Sequence, residues 1–217
     1  AVMAFHAFPA VLPFGYLGVD VFFVISGFLI TRDINVRMKS GTFTLVDFYL
    51  RRIRRLFPAL ITVLASALAF GALMLYPDEL DQLALHVVAS AFFSQNFQLL
   101  MEAGYFDKAS AFKPLLHLWS LAIEEQFYLL WPLVLLTRAR LGLVVGIAAI
   151  SLGTFVALPT AAAYYIPTAR FWEILVGALL ALGWDFPRLP LANSVLVYVG
   201  RMSYPLYLWH WPMLSFL

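Results

Sequence analysis

An all-α protein built as a polytopic bundle of transmembrane helices, with roughly six to eight membrane segments in a single domain spanning 1–217, is what three features of the sequence predict. The first is composition: 63% of the residues are hydrophobic, only 12% are charged and the mean hydropathy is +0.88. That is more apolar than the surface of a soluble domain tolerates. The second is Leu56 to Tyr76, 21 residues without a charge and long enough to cross a bilayer. The third is charge placement. Arg32, Arg37, Lys39, Arg51, Arg52, Arg54 and Arg55 are half of the 14 basic residues and fall between two apolar runs, as in a cytoplasmic loop.

Each element follows from this frame. Residues 1–14 read as the tail of a segment leaving the cytoplasm, and 17–31 as an apolar helix returning toward it. Residues 32–55 are the basic loop, and 56–76 are a full crossing with Pro58 in its first turn. Pro77-Asp78-Glu79 then lies on the outer side. Residues 83–100 are interrupted by His86, Ser94, Gln95, Asn96 and Gln98, which leaves a marginal crossing and a re-entrant or buried segment both open. Residues 118–137 form a span ending at Arg138 and Arg140; placing those two inside requires that 83–100 does not cross. A long span over 141–166 follows, then a short one over 171–184 containing Glu173, and a last stretch over 195–217 interrupted by Arg201 and His210. Between these last two, WDFPRLP at 184–190 reads as a linker. No basic region precedes the first apolar run, so no cleavable signal is expected.

Several function classes drop out. The absence of cysteine removes disulfides, thiolate metal sites and a cysteine nucleophile. A net charge of +2 is too small to suggest nucleic acid. Walker, GxGxxG, GxSxG and HExxH patterns are missing, and no His/Asp cluster has metal spacing, so neither a metal nor a permanently bound cofactor is expected.

What remains is ionisable groups inside apolar sequence, where each costs roughly 2.5–3.5 kcal/mol at a bilayer centre and usually has a job. In LLHLWSLAIEEQFYLLWP (115–132), helical spacing puts His117, Ser120, Glu124, Tyr128 and Trp131 on one face, while Glu125 points elsewhere. Interhelical glue and a reactive site are both open for this stripe. One glutamate could pair with Arg170, whose own partner could instead be Glu173 three residues on. His6 either bonds a neighbour or acts in chemistry. Asp20, opening an apolar helix, either caps it or orients a nearby imidazole. The four arginines in FYLRRIRRLFP (48–58) either anchor the topology at anionic headgroups or cradle a polyphosphate.

Together, GYLGVDVFFVISGFLIT (15–31), FYLRRIRRLFPAL (48–60), LLHLWSLAIEEQFYLLWP (115–132), ARFWEILVGALLA (169–181) and VGRMSYPLYLWHWP (199–212) resemble the membrane acyltransferase-3 family. Within it they look most like the O-antigen and polysaccharide O-acetyltransferase branch. The resemblance implies a multi-pass protein of the bacterial inner membrane that moves an acyl group, usually acetyl, from coenzyme A to a hydroxyl of a surface glycan or lipid-linked saccharide. It implies that His6, Asp20 and Glu124 are catalytic and that Arg51, Arg52 and Arg55 bind acyl-CoA. His117, Glu125, Arg170, Glu173 and His210 would support them. Residue type adds Asn96, Tyr105, Trp119 and Trp209 as candidates for holding the acceptor.

Against the family pattern, the arginine upstream of the histidine is missing at the N-terminus, and several spans are missing between 184 and 195. The expectation is therefore a fragment or an internally shortened relative. Two other readings fit the intramembrane His and Glu: a proton-coupled transporter, and an inactive relative serving as a membrane partner.

Overall fold

The computed structural model describes residues 1–8, 10–103, 113–137, 140–183 and 194–216. Among the described residues every regular element is helical: α1 (Val2–Ala7), α2 (Gly18–Lys39), α3 (Leu45–Met74), α4 (Pro77–Ala91), α5 (Gln95–Glu102), α6 (Leu118–Leu135), α7 (Arg140–Ala157), α8 (Thr160–Tyr165), α9 (Pro167–Gly183) and α10 (Ser194–Ser215). One of them, the 30-residue α3, has the length and apolar composition to cross a bilayer by itself. Both the expected linker at 184–190 and the expected shortening between 184 and 195 fall largely on residues outside the described set.

Helix boundaries correct the sequence reading in three places. The basic segment 32–55 is mostly helical, because α2 runs on to Lys39 and α3 begins at Leu45, where the Thr44 hydroxyl accepts the Asp47 N–H at 3.2 Å. Pro58 consequently sits well inside α3 rather than in a first turn, and it leaves the carbonyl four residues back without a helical donor. The expected span over 141–166 is broken at Leu158-Pro159 into α7 and α8, since a proline disfavours helix at the residue before it. Residues 83–100 are divided between α4 and α5. Phe93 adopts a left-handed φ of 51°, and the Ser94 N–H and hydroxyl both turn back to the Ala89 carbonyl, ending α4 after 15 residues.

Packing fixes the helix directions. Helices α2 and α9 run parallel in close contact at Gly27 and Gly177, where an added Cβ would collide with the Ile174 and Val24 carbonyls respectively. Helix α6 lies antiparallel to α3, with Tyr49 donating to the Leu129 carbonyl at 2.7 Å. Helix α10 runs alongside α3, tied at one level by Tyr204 to the Leu56 carbonyl and at another by Phe216 against Phe70. The starts of α2, α6 and α9 therefore share one end of the molecule with the finish of α3 and α10, and the arginine-rich turn occupies the other, basic end.

Polarity is arranged inside out. His86, Gln95, Asn96, His117, Ser120, Glu124, Arg170 and Glu173 are buried, whereas Leu73, Ile150, Val156, Leu129 and Ile25 are exposed. A surface of this kind suits an apolar surrounding.

Candidate active site

Three of the four histidines converge at the end of the molecule opposite the arginine-rich turn. Helix α1 brings His6, the turn before α6 brings His117, and α10 brings His210. His6 Nδ1 lies 3.1 Å from His210 Nε2, and the His117 and His210 rings meet edge to face at 5.2 Å. His210 Nδ1 donates to the Tyr207 carbonyl at 2.6 Å. His117 Nε2 donates to the Leu208 carbonyl at 3.1 Å, a carbonyl left open because Pro212, four residues on, has no N–H to give it. Tyr207 completes the cluster: its hydroxyl donates to the His117 carbonyl at 2.6 Å and meets the Ser120 hydroxyl at the same distance.

Accessibility separates the three rings. His117 is buried, with Nδ1 lacking a hydrogen-bond partner among the described residues. His6 is only half-buried, against the Trp211 ring 4.5 Å away. Trp211 in turn donates to the Lys113 carbonyl at 2.9 Å.

The expected stripe on α6 is present as a buried face carrying His117, Ser120, Glu124, Tyr128 and Trp131. Glu124 accepts the Tyr128 hydroxyl at 2.6 Å, and Trp131 donates to the Thr31 hydroxyl at 2.8 Å. Glu125, on another face, pairs with Arg52, whose guanidinium also covers the Tyr128 ring at 3.7 Å. At 1.5 Å per residue this level is about 12 Å from His117 along α6.

A second ionic group joins α9 to the start of α2. Arg170, buried, bonds Asp20 at 2.5 Å and Glu173 at 3.1 Å. The Tyr164, Phe23 and Trp119 rings surround its guanidinium at 5.5–5.7 Å.

These contacts revise several expected partnerships. Arg170 takes Glu173, the nearer alternative, and neither glutamate of α6. Asp20 neither caps α2 nor bonds His6; it is held by Arg170. Glu124 likewise reaches Tyr128 rather than His6. Of the arginines expected at phosphates, Arg52 is turned into the bundle and Arg51 is shared by Asp47 and Asp33, while Arg55 is exposed.

The expected acceptor residues are structural in their contacts. Asn96 is fully buried, donating to the Tyr165 carbonyl and accepting from Gln126. Trp119 is buried against Tyr164, and Trp209 packs half-buried on the Leu60 cluster. Tyr105 lies outside the described residues. Sequence reading missed Tyr207, Trp211 and Lys113. For Tyr207 a signal existed, since it stands three residues before His210 on the same helical face.

The helical bundle thus gathers three imidazoles at one end and carries the arginine-rich turn at the other, and comparison with known proteins gives the family. A profile described as an acyltransferase domain matches residues 1–190, and the chain belongs to this acyltransferase-3 family. An uncharacterised protein of Haemophilus influenzae is 37% identical over 180 residues, covering 75% of this chain and 73% of that one. The peptidoglycan O-acetyltransferase OatA of Listeria monocytogenes is 35% identical over 87% of this chain and 33% of its own length. A Staphylococcus aureus protein named as an O-acetyltransferase is 29% identical, with 99% of this chain and 48% of that one covered. That last alignment runs over 295 residues, more than the 217 of this chain, so the relative has stretches with no counterpart here. The chain thus spans a third to a half of the two relatives named as O-acetyltransferases. No solved structure matches it.

Proposed function

We propose that the protein is a multi-pass membrane O-acyltransferase that takes an acyl group, acetyl in the simplest case, from acyl-CoA and passes it to a hydroxyl of a cell-surface glycan. The observation that carries this reading is the convergence of His6, His117 and His210, with His6 the half-exposed member. Apolar outward faces and buried charges support a lipid setting, with the basic end cytoplasmic and the histidine end on the outer side.

In the reaction His6 Nε2 accepts the proton of the acceptor hydroxyl as its oxygen attacks the thioester carbonyl. The tetrahedral intermediate expels the thiolate, which recovers that proton. Base catalysis of this kind contributes about 10²–10⁴-fold. Arg55, exposed at the basic end, holds the coenzyme phosphates, while Arg51 is paired with Asp47 and Asp33 and Arg52 anchors α3 to α6 through Glu125. The coenzyme's long flexible arm then carries the thioester from the basic end toward His6.

Peptidoglycan, the polymer in the Listeria relative's name, is one glycan class to test as acceptor. In the full-length protein, His6→Ala abolishes transfer of labelled acetyl from acetyl-CoA to saccharide while membrane insertion is retained. Unchanged transfer overturns the reading.

A further inference from the structure

We propose that His210 is a positioning residue that fixes the tautomer of His6, leaving His6 Nε2 as the lone-pair nitrogen; the inference rests on His6 being the base. A backbone carbonyl can only accept. The 2.6 Å contact from His210 Nδ1 to the Tyr207 carbonyl therefore puts the His210 proton on Nδ1. In a neutral imidazole the other nitrogen is then an acceptor. That acceptor, Nε2, faces His6 Nδ1 at 3.1 Å, so His6 carries its own proton on Nδ1. His6 Nε2 is left bare.

Ring geometry agrees with a directed bond. The two planes differ by only 4°, yet the centroids are 5.3 Å apart. The N···N distance is shorter than the centroid separation by about two ring radii. Both nitrogens thus lie on the line between the rings, and the pair is joined edge to edge rather than face to face. The His117 and Tyr207 rings, 5.2 and 5.4 Å from His210, hold it from turning.

The arrangement has the logic of a nucleophile–base–orienter triad, with the imidazole of His210 in place of the orienting carboxylate. When His6 Nε2 takes the hydroxyl proton, the Nδ1–H bond to His210 stays in place and steadies the imidazolium. The terminal anchor, a helix carbonyl, cannot ionise. His210 need not touch substrate for any of this.

The test compares His210→Leu with His210→Gln in the full-length protein. Glutamine can place its carbonyl oxygen near the position of Nε2 and accept from His6; leucine cannot. His210→Leu is expected to lower kcat roughly 100-fold with the acceptor KM within about threefold of wild type. His210→Gln should recover at least about tenfold of that loss. Glutamine no better than leucine, or leucine at the wild-type rate, overturns the proposal. Nitrogen-15 histidine NMR of the wild-type protein in detergent tests it without any change at His210, the His6 signals being identified from their loss in His6→Gln. A proton on His6 Nδ1 supports it, and a proton on Nε2 of the neutral ring overturns it. Full activity in His6→Ala would instead remove the underlying acyl-transfer reading.

Discussion

Individual residues in this chain are constrained mainly by partners far away in sequence. The stripe from His117 to Trp131 was legible because helical spacing alone puts those side chains on one face, and the Arg170–Glu173 pair was legible as an i, i+3 contact. Asp20–Arg170, Arg52–Glu125 and His6–His210 were not, since nothing local marks which helices meet. Glu102 shows what such a long-range partner does. Burial raises its carboxyl, but hydrogen bonds from Lys113 and Gln98 and the nearby Lys113 and His86 charges outweigh this and hold it below the usual glutamate value. A lowered folded pKa gives stability that is fully present above the unfolded value and lost as pH falls through the folded one. Glu102→Gln is therefore expected to cost about 1 kcal/mol at neutral pH. In detergent melting curves the gap from wild type should hold down to about pH 5 and close below about pH 4. A gap independent of pH would contradict the assignment.

Helix existence was well marked, and helix ends less so. Apolar runs located α6 and α9 and the end of α3 within a few residues, whereas the charged run before residue 56 looked like a loop and is helix, so α3 starts eleven residues earlier than read. Charge is compatible with helix when the residues are Arg, Lys, Asp and Asn spaced as in α2, where Asp33 and Arg37 pair at 3.0 Å one turn apart. The crossing of α2 and α9 depends on glycine at 27 and 177. Gly177→Ala is expected to lower stability by about 1–3 kcal/mol in melting experiments, because its Cβ meets backbone that has no rotamer to change. A null effect would mean the two helices are further apart. The α3–α6 contact gives a second case. Arg52→Met alone should cost about 3 kcal/mol by leaving Glu125 unpaired in a mostly buried position, and adding Glu125→Gln should return part of it. Strict additivity in that cycle would show that the pair does not couple.

Across the whole molecule, the sequence carried the all-helical class and the membrane-like composition, and the resemblance carried the histidine at position 6. Neither showed that three helices far apart in the chain would deliver imidazoles to one end, because that depends on α10 lying between α1 and the start of α6. The proposed orientation has a direct consequence that the absence of cysteine makes clean to examine. Cysteine at position 40, replacing exposed Ser40, should react with an impermeant maleimide only from the cytoplasmic side. Cysteine replacing exposed Asp78 should react only from outside. The reverse pattern would invert the topology.

Acyl transfer at His6 is tested most directly with the full-length protein in sealed inside-out membrane vesicles, supplied externally with labelled acetyl-CoA and loaded with saccharide. Wild type is expected to place labelled O-acetyl ester on the enclosed saccharide, and His6→Gln, inserted to the same level, to place none. Equal ester formation by the two proteins would contradict the account.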